Sequence, residues 1–284
     1  MNDDTGTSTG GGINIGAGTG IGTDDLRQAV RVAAELATLA IDEMTAAPSG
    51  APRRKAHPAD LVTDADERIE ARVRKVLAER FPRHGVRGEE HGIRDGAAGA
   101  PVWLVDPIDG TTNHAHGIAW SSFALALVDG GAPLVAVVAD PWRREIFSAV
   151  RGQGTLLDGI PVRACGATSL AGQVAMTEWA AHEPWPGMAT VLAGLSHRYC
   201  TVRIMGSTAL SLAQVAAGRA ALAVIGPTGD LDALAATLIA VEAGAVALDH
   251  EGSPTLLATG GLLVAAPGVA TEALEVTRAA WGAE

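Results

Sequence analysis

The stretch that most constrains this chain is residues 102–117, Val-Trp-Leu-Val-Asp-Pro-Ile-Asp-Gly-Thr-Thr-Asn-His-Ala-His-Gly. Its apolar start, residues 103–105, predicts a short buried strand that ends at Asp106. Pro107 stiffens the chain beyond the strand, and Gly110 permits a sharp turn. The chain must therefore fold so that this acidic turn leaves the end of a core strand.

The turn itself carries a set of oxygen donors. Asp106 and Asp109 flank the backbone carbonyl of Ile108, and such oxygen ligands suit a hard cation such as Mg²⁺. Thr111 and Thr112 predict the start of a helix, whose free N–H groups receive anions. The stretch favours phosphate chemistry, although by itself it is equally compatible with an Asx-type turn followed by a helix N-cap.

Composition restricts the class of protein. The 284 residues, 48% of them hydrophobic, predict a folded chain of one large domain or two lobes. The net charge of −11 argues against a surface that coats nucleic acid. Two cysteines without C-x-x-C spacing argue against a disulfide framework or a Cys-rich zinc site. Because no apolar run is long enough for a membrane span and the start lacks a signal-peptide pattern, a cytoplasmic protein is expected.

The pattern along the chain divides it into three regions. Residues 1–23 are mostly Gly, Thr, Ser and Asn, which predicts a disordered tail. Residues 24–167 predict an α+β lobe, with two amphipathic helices before an antiparallel strand meander. In residues 168–284 strands alternate with helices, which predicts an α/β lobe. The expected fold class is α+β, with stacked layers of helix and sheet.

Individual elements follow from the same periodicities. The first helix is predicted over residues 24–46, and the second over about 64–81 with Thr63 as its N-cap. Strands are predicted over 121–128, 134–139, 145–150, 174–177, 201–205, 221–225, 245–248 and 262–266. Later helices are predicted over 186–195, 208–217, 232–243 and 269–281.

Further acids lie in turns elsewhere in the chain. Gly88-Glu-Glu-His-Gly92 is a tight acidic loop, and Asp232 begins a helix of the second lobe. Each is explained as simply by solvated charges or by an N-cap. A site between the lobes would bring four carboxylates together, whose mutual repulsion divalent cations would offset. These four are Glu89, Asp106, Asp109 and Asp232.

Four motifs together resemble those of the inositol monophosphatase family of Mg²⁺-dependent phosphatases, over about residues 25–280. They are Asp60-Leu-Val-Thr-Asp-Ala-Asp66 with Lys55 ahead of it, Gly88-Glu-Glu90, Asp106-Pro-Ile-Asp-Gly-Thr111, and Asp232 with Glu242-Ala-Gly244. Four motifs in the correct order are far more specific than one. The resemblance implies a layered αβαβα sandwich, with an antiparallel sheet in the N-terminal lobe and a mixed α/β C-terminal lobe.

The resemblance also implies roles for residues. The metal ligands would be Glu89, Asp106, Asp109, Asp232 and the carbonyl of Ile108. Thr111, hydrogen-bonded to Asp66, would orient the attacking water together with Glu89. The substrate would contact Asp109, Gly110, Thr111, Gly206, Ser207, Thr208 and Asp232. Two or three Mg²⁺ ions, inhibition by Li⁺ at tens of millimolar, metal-assisted in-line hydrolysis and a homodimer are expected on the same basis.

The substrate rim departs from the family pattern. Ile225 stands where members that prefer inositol phosphate have an acid, and His114 stands where an aromatic residue is expected; with Lys55 they form the candidate rim. The lead substrate is a small polyol or sugar phosphate such as inositol-1-phosphate. Histidinol phosphate, fructose bisphosphate, a 3′-phosphoadenosine nucleotide and an intermediate of a specialised pathway are alternatives. The alternative from another class is a regulatory binding protein on the same fold.

Overall fold

The computed structural model describes residues 21–46, 50–55, 57–179, 182–257 and 260–281. The predicted disordered tail lies outside these ranges except for residues 21–23, and Thr23 already begins the first helix. The described helices are α1 Thr23–Met44, α2 Asp64–Arg80, α3 Thr111–Ala115, α4 Met188–His197, α5 Thr208–Ala216, α6 Asp230–Glu242 and α7 Ala270–Trp281.

Among the described residues, the nine strands predicted from the sequence are all present, and six short strands add to them. The strands are β1 Arg53–Arg54, β2 Leu61–Val62, β3 Gly85–Gly88, β4 Gly92–Arg94, β5 Val102–Asp109, β6 Ser122–Asp129, β7 Ala132–Asp140, β8 Glu145–Val150, β9 Thr155–Leu157, β10 Ile160–Val162, β11 Val174–Thr177, β12 Thr201–Ile204, β13 Leu222–Ile225, β14 Val246–Asp249 and β15 Leu262–Ala265.

The first two layers are α1 with α2 and an eight-stranded sheet. Apolar residues at three- and four-residue spacing, such as Val32, Leu36 and Ala40, line the buried face of α1. They pack with α2 residues such as Ile69 and with Trp103 of β5 in one continuous core. This packing explains why the helix pattern was readable from the sequence.

The eight-stranded sheet has the order β10-β9-β8-β7-β6-β5-β3-β4. Its pairs are antiparallel except that β3 runs parallel to β5, so the prediction of an antiparallel sheet holds for all but this pair. The predicted end of β5 at Asp106 is wrong. The strand is irregular after Asp106, and pairing with β6 resumes where Asp109 faces Ser122.

The remaining three layers are α5 with α6, a five-stranded sheet, and α4 with α7. The five-stranded sheet has the order β12-β11-β13-β15-β14. It is mixed, because β11 runs parallel to β12 and β13 whereas β15 runs antiparallel to β13 and β14. Helices α5 and α6 share one core with both sheets, and α4 and α7 cover the outer face of the second sheet.

The predicted layered αβαβα sandwich is therefore confirmed. All strands of the larger sheet precede residue 163, and all strands of the smaller sheet follow residue 173. Because α5 and α6 pack on both sheets, the division into lobes at residues 167–168 stays a prediction. Among the described residues, no helix combines the length and apolar character that crossing a membrane requires.

Candidate active site

The centre of the candidate site is the irregular end of β5. Asp106 is 2% exposed there, and its Oδ1 atom is buried without a hydrogen-bond partner in the structure. The side chain of Ile108 points into the core, and its carbonyl accepts a hydrogen bond from Thr111 Oγ1 at 2.9 Å. The break in strand pairing thus turns acid groups and a carbonyl away from the sheet ladder.

The N-terminus of α2 brings Asp66 to this turn. Asp66 is fully buried, and its Oδ2 accepts hydrogen bonds from Thr63 N at 2.9 Å and Thr63 Oγ1 at 2.5 Å. Thr63 is the N-cap residue of α2, as predicted. The other carboxylate oxygen of Asp66 lies 3.2 Å from Thr111 Oγ1. Since this hydroxyl has one proton, Asp66 and the carbonyl of Ile108 compete for it.

Glu89 lies in the turn between β3 and β4, where it is paired with a lysine. The Lys55 ammonium is 2.7 Å from Glu89 Oε1 and 2.6 Å from Glu90 Oε1. Burial alone would lower the pKa of Lys55, but the hydrogen bonds to both glutamates outweigh it and raise the pKa. In the structure Lys55 therefore neutralises part of the acidic charge at this edge of the site.

Asp232 is the third residue of α6 and comes from the opposite half of the chain. Its Oδ2 faces the N-terminus of its own helix, 3.4 Å from both Gly229 N and Thr228 Oγ1. Two residues earlier, Asp230 forms an ion pair with Arg87 of β3. This pair connects the helix that carries Asp232 with the strand that precedes Glu89.

The acids from both halves of the chain are close enough to act on one another. Burial is the largest cause that raises the pKa of Asp106 far above its usual range. The charges of Glu89, Asp109, Asp232 and Asp66 raise it further. A cluster of acids with this much mutual repulsion favours either protonation or a bound cation.

Asp109 is held by the second half of the chain. Its Oδ2 accepts hydrogen bonds from Ser207 Oγ and Ala209 N, each at 2.6 Å. Burial and the charge of Asp232 nevertheless raise the pKa of Asp109 to about 7. The two halves meet closely, because a Cβ at position 110, where Gly110 has φ +90°, would lie 2.6 Å from the carbonyl oxygen of Gly206.

The predicted ligands are all oxygen atoms, which are the ligands that a hard cation prefers. Five oxygen donors were predicted, and the unpartnered Asp106 Oδ1 is an acceptor in need of a positive partner. Among the residues that the structure describes, however, no three His, Cys, Asp or Glu side chains already meet the geometry of a metal site. Glu89 points to Lys55, and Asp109 is occupied by Ser207 and Ala209.

The candidate rim residues differ in their surroundings. Ile225 is 3% exposed and packs in the core shared by the two sheets, so it offers a substrate no hydrogen-bonding group. His114 lies in α3, where burial lowers its pKa and its Nδ1 has no hydrogen-bond partner in the structure. Thr208 is the first residue of α5, directly after the turn that contacts Asp109.

Sequence reasoning missed a residue that supports the Glu89 turn. Glu70 is fully buried in α2, and its carboxylate accepts hydrogen bonds from Glu90 N at 2.6 Å and His91 N at 3.0 Å. Gly88 leaves room for it, because a Cβ there would lie 2.3 Å from the Glu70 carboxyl. The helical period that places Glu70 on the inner face of α2 was the available signal.

Two other residues were missed because their partners are distant in sequence. Arg87 pairs with Asp230 across 143 positions. Glu178 follows β11 directly and is 3% exposed, with its carboxylate turned to the chain segment at Gly206. An acid at the carboxyl end of a parallel strand was the signal for Glu178, since sites form at that edge of a sheet.

The layered αβαβα sandwich, with buried acids where its two halves meet and a helix that begins beside them, is compatible with a phosphatase, and the comparisons with known proteins show that class. The inositol monophosphatase family model matches residues 23–281. Inositol monophosphatase of Mesembryanthemum crystallinum is 36% identical over 200 residues, which cover 68% of this chain and 74% of that protein. Nus factor SuhB of Pasteurella multocida is 34% identical over 217 residues, which cover 76% of this chain and 81% of that protein.

A solved structure gives the same result for the fold. The inositol monophosphatase of Anabaena superposes with a TM-score of 0.78 at 26% identity, covering 90% of this chain and 97% of that one. This chain belongs to the inositol monophosphatase family, and the expected resemblance is confirmed.

Proposed function

We propose that the protein is a Mg²⁺-dependent phosphomonoesterase that hydrolyses a small polyol or sugar phosphate. The observation that carries the proposal is the convergence of acids from both halves on Asp106, whose buried Oδ1 has no partner in the structure. Such an oxygen is costly to leave unsatisfied, and a cation satisfies it.

The proposed donor set combines residues of both halves. Glu89, Asp106 and the carbonyl of Ile108 would hold one cation, and Asp109 and Asp232 would join Asp106 for another. When bound, two or three Mg²⁺ ions supply charge neutralisation and a more acidic water molecule. Of these carboxylates, Asp106 is buried and Asp109 is held by hydrogen bonds from Ser207 and Ala209, so the protein would fix the positions of these two ligands.

The remaining groups would orient the water and the phosphate. Thr111 Oγ1 lies 3.2 Å from Asp66 Oδ1. With its proton directed to Asp66, this hydroxyl would accept a hydrogen bond from the attacking water and orient it. Glu89 is the second group proposed to orient this water. The backbone N–H groups of Gly110 and Thr111 would receive phosphate oxygens at the start of α3. Gly206, Ser207 and Thr208 would line the same pocket.

The substrate class follows from what the rim lacks. Ile225 supplies no hydrogen-bond acceptor. We therefore infer that the site binds the ring hydroxyls of a substrate less specifically than a site with an acid at this position would. Inositol-1-phosphate stays the lead substrate on family grounds. Histidinol phosphate, fructose bisphosphate, a 3′-phosphoadenosine nucleotide and a specialised-pathway intermediate are the alternatives, and His114 and Lys55 are the rim residues to vary.

The experiment is phosphate release from a panel of these esters, with and without Mg²⁺. The wild type, Asp109→Asn and the surface control Asp42→Asn are compared. Mg²⁺-dependent release by the wild type and Asp42→Asn, with loss in Asp109→Asn, supports the proposal. Equal, metal-independent release by all three proteins contradicts it. A strong preference for the adenosine nucleotide would identify a nucleotide phosphatase instead.

A second candidate is a regulatory binding role on the same fold. The observation in its favour is the similarity to a relative named Nus factor SuhB. Activity in the panel would not exclude such a role, but a wild type without any Mg²⁺-dependent release would favour it.

Three further properties are proposed from the family resemblance. Li⁺ at tens of millimolar should inhibit by replacing a weakly held Mg²⁺, and a dose series without effect would count against this. We also infer a homodimer, which light scattering on the purified chain tests. A cytoplasmic location accords with Cys165 and Cys200, which are both free thiols.

A further inference from the structure

The structure holds a buried glutamate that the proposed chemistry does not use. Glu178 directly follows β11 and is 3% exposed. Its Oε2 accepts hydrogen bonds from Gly206 N at 2.5 Å and Met205 N at 3.2 Å, and its Oε1 accepts one from Ser211 Oγ at 2.5 Å. A carboxylate that accepts from two successive backbone N–H groups and a serine hydroxyl fixes the conformation of the turn 205–207.

The same turn is fastened to the first half of the chain. Asn113 Nδ2 donates to the carbonyl of Met205 at 2.6 Å and to that of Trp120 at 2.7 Å. The carbonyl oxygen of Gly206 lies only 2.6 Å from the position that a Cβ on Gly110 would take. The N–H groups of the turn thus face Glu178, and its carbonyls face the segment that carries Asp109.

The side of the turn opposite Glu178 reaches the acid cluster. Ser207 Oγ donates to Asp109 Oδ2 at 2.6 Å, and Ser122 Oγ lies 3.0 Å from Ser207 Oγ. Ala209 N completes the contact with Asp109 at 2.6 Å. A shift of the turn therefore moves two of the donors that orient Asp109, although Glu178 does not touch Asp109 itself.

We propose that Glu178 is a positioning residue, which holds the turn 205–207 so that Ser207 and Ala209 fix Asp109 in the acid cluster. The expected effect on Mg²⁺ binding rests on the proposed function. The contact by which Glu178 holds the turn does not depend on it. Glu178 lies beside the cluster and supplies order to it, whereas Asp109 supplies a ligand. A positioning role differs from a purely stabilising one in its effect on Asp109. When the turn loses its fixed conformation, the donors to Asp109 move and the orientation of its carboxylate changes.

The test compares Glu178→Gln with Asp140→Asn. Asp140 is the control: it is fully buried, it accepts hydrogen bonds from Trp142 N at 2.9 Å and Arg143 N at 3.1 Å, and it also pairs with the Arg143 guanidinium at 2.7 Å. Neither of these donors contacts Asp109. Both substitutions remove one charge from a buried carboxylate that binds backbone N–H groups, so a general loss of stability should appear in both.

Two readouts separate positioning from stability. Amide hydrogen exchange in the metal-free protein should rise at residues 205–209 in Glu178→Gln and stay at the wild-type level there in Asp140→Asn. The Mg²⁺ concentration for half-maximal stabilisation against heat should rise by about 10- to 100-fold in Glu178→Gln alone. Glu178→Asp, which keeps the charge on a shorter side chain, should give an intermediate value and serves if the Gln variant does not fold.

The outcomes also separate this proposal from the proposed function. Unchanged exchange at 205–209 in a folded Glu178 variant overturns the positioning role. A Mg²⁺ requirement equal to that of the wild type overturns it as well. If the wild type shows no response to Mg²⁺ while exchange still rises in Glu178→Gln, the turn is held as proposed and the metal-dependent function is wrong.

Discussion

The ammonium group of Lys55 lies 2.7 Å from the carboxylate of Glu89, which is the acid proposed both to bind a cation and to orient water. This contact gives the metal-free site a built-in positive partner. A cation that uses the same oxygen has to compete with Lys55. The ion pair is therefore expected to weaken cation binding while it keeps the loop of Glu89 in place.

The first prediction concerns this competition. Lys55→Gln should tighten Mg²⁺ binding by a factor of up to about five, because a partly exposed ion pair contributes about 0.2–1 kcal/mol. The measurement is the Mg²⁺ concentration for half-maximal stabilisation at constant pH. Lys75→Gln, which removes an exposed lysine from α2, is the control and should leave this value unchanged. Weaker binding in Lys55→Gln would show that Lys55 supports the cation site.

The second prediction concerns the hydroxyl between Asp66 and Ile108. Thr111→Val keeps the shape of the side chain but removes the proton acceptor for water, so kcat should fall by about 10²- to 10⁴-fold with little change in KM. Thr111→Ser retains Oγ and is the matched control. Steady-state phosphate release measures both. If Thr111→Val and Thr111→Ser lose the same activity, the hydroxyl does not orient the water.

The third prediction concerns the ion pair of Arg87 with Asp230. It joins strand β3 to the N-terminus of helix α6 at a point where each side chain is about one-third exposed. In a double-mutant cycle of Arg87→Gln and Asp230→Asn, urea unfolding should give a coupling free energy of about 0.5–1 kcal/mol. Arg87 lies two residues before Glu89, and Asp230 lies two residues before Asp232. Each single variant should therefore also require a higher Mg²⁺ concentration for half-maximal stabilisation. Additive single effects would mean that the contact contributes nothing.

The fourth prediction concerns pH. Burial raises the pKa of Glu178 to about 7 from an ordinary value of 4.5. Between these values the folded chain holds a proton that the unfolded chain has released, so the stability contributed by this group falls as pH rises through that window. The wild type should lose about 3 kcal/mol more than Glu178→Gln between pH 4.5 and pH 8. If the free energy of unfolding, measured with urea, changes with pH by the same amount in the two proteins, the pKa of Glu178 is not raised.

The elements that the sequence predicted well are those with a strong period. The spacing of Ala33, Leu36, Ala37 and Ala40 located α1. Thr63 was recognised as the N-cap of α2 because capping is a local effect. The pairing strands β3 and β4 were missed. They are short and begin or end in glycine, and β3 is stabilised by its parallel neighbour β5, not by its own pattern.

The sequence was sufficient to identify the acids of the candidate site. It was not sufficient to predict which residues contact them. Asp106 and Asp109 share one turn, so local spacing sufficed to single them out. Nothing in the spacing indicates that Lys55 pairs with Glu89 or that Glu178 holds the turn at Gly206. These contacts join segments far apart in the chain, and the packing of the layers creates them.

The central claim is that acids from both halves of the chain hold cations together. Calorimetric titration of the purified protein with Mg²⁺ tests it most directly, with Asp106→Asn from the first half, Asp232→Asn from the second, and Asp42→Asn as a surface control. We expect wild type and Asp42→Asn to bind with the same affinity and stoichiometry, and both Asp106→Asn and Asp232→Asn to lose at least one bound ion. Binding by Asp232→Asn that equals the wild type in both affinity and stoichiometry would contradict a site shared between the two halves.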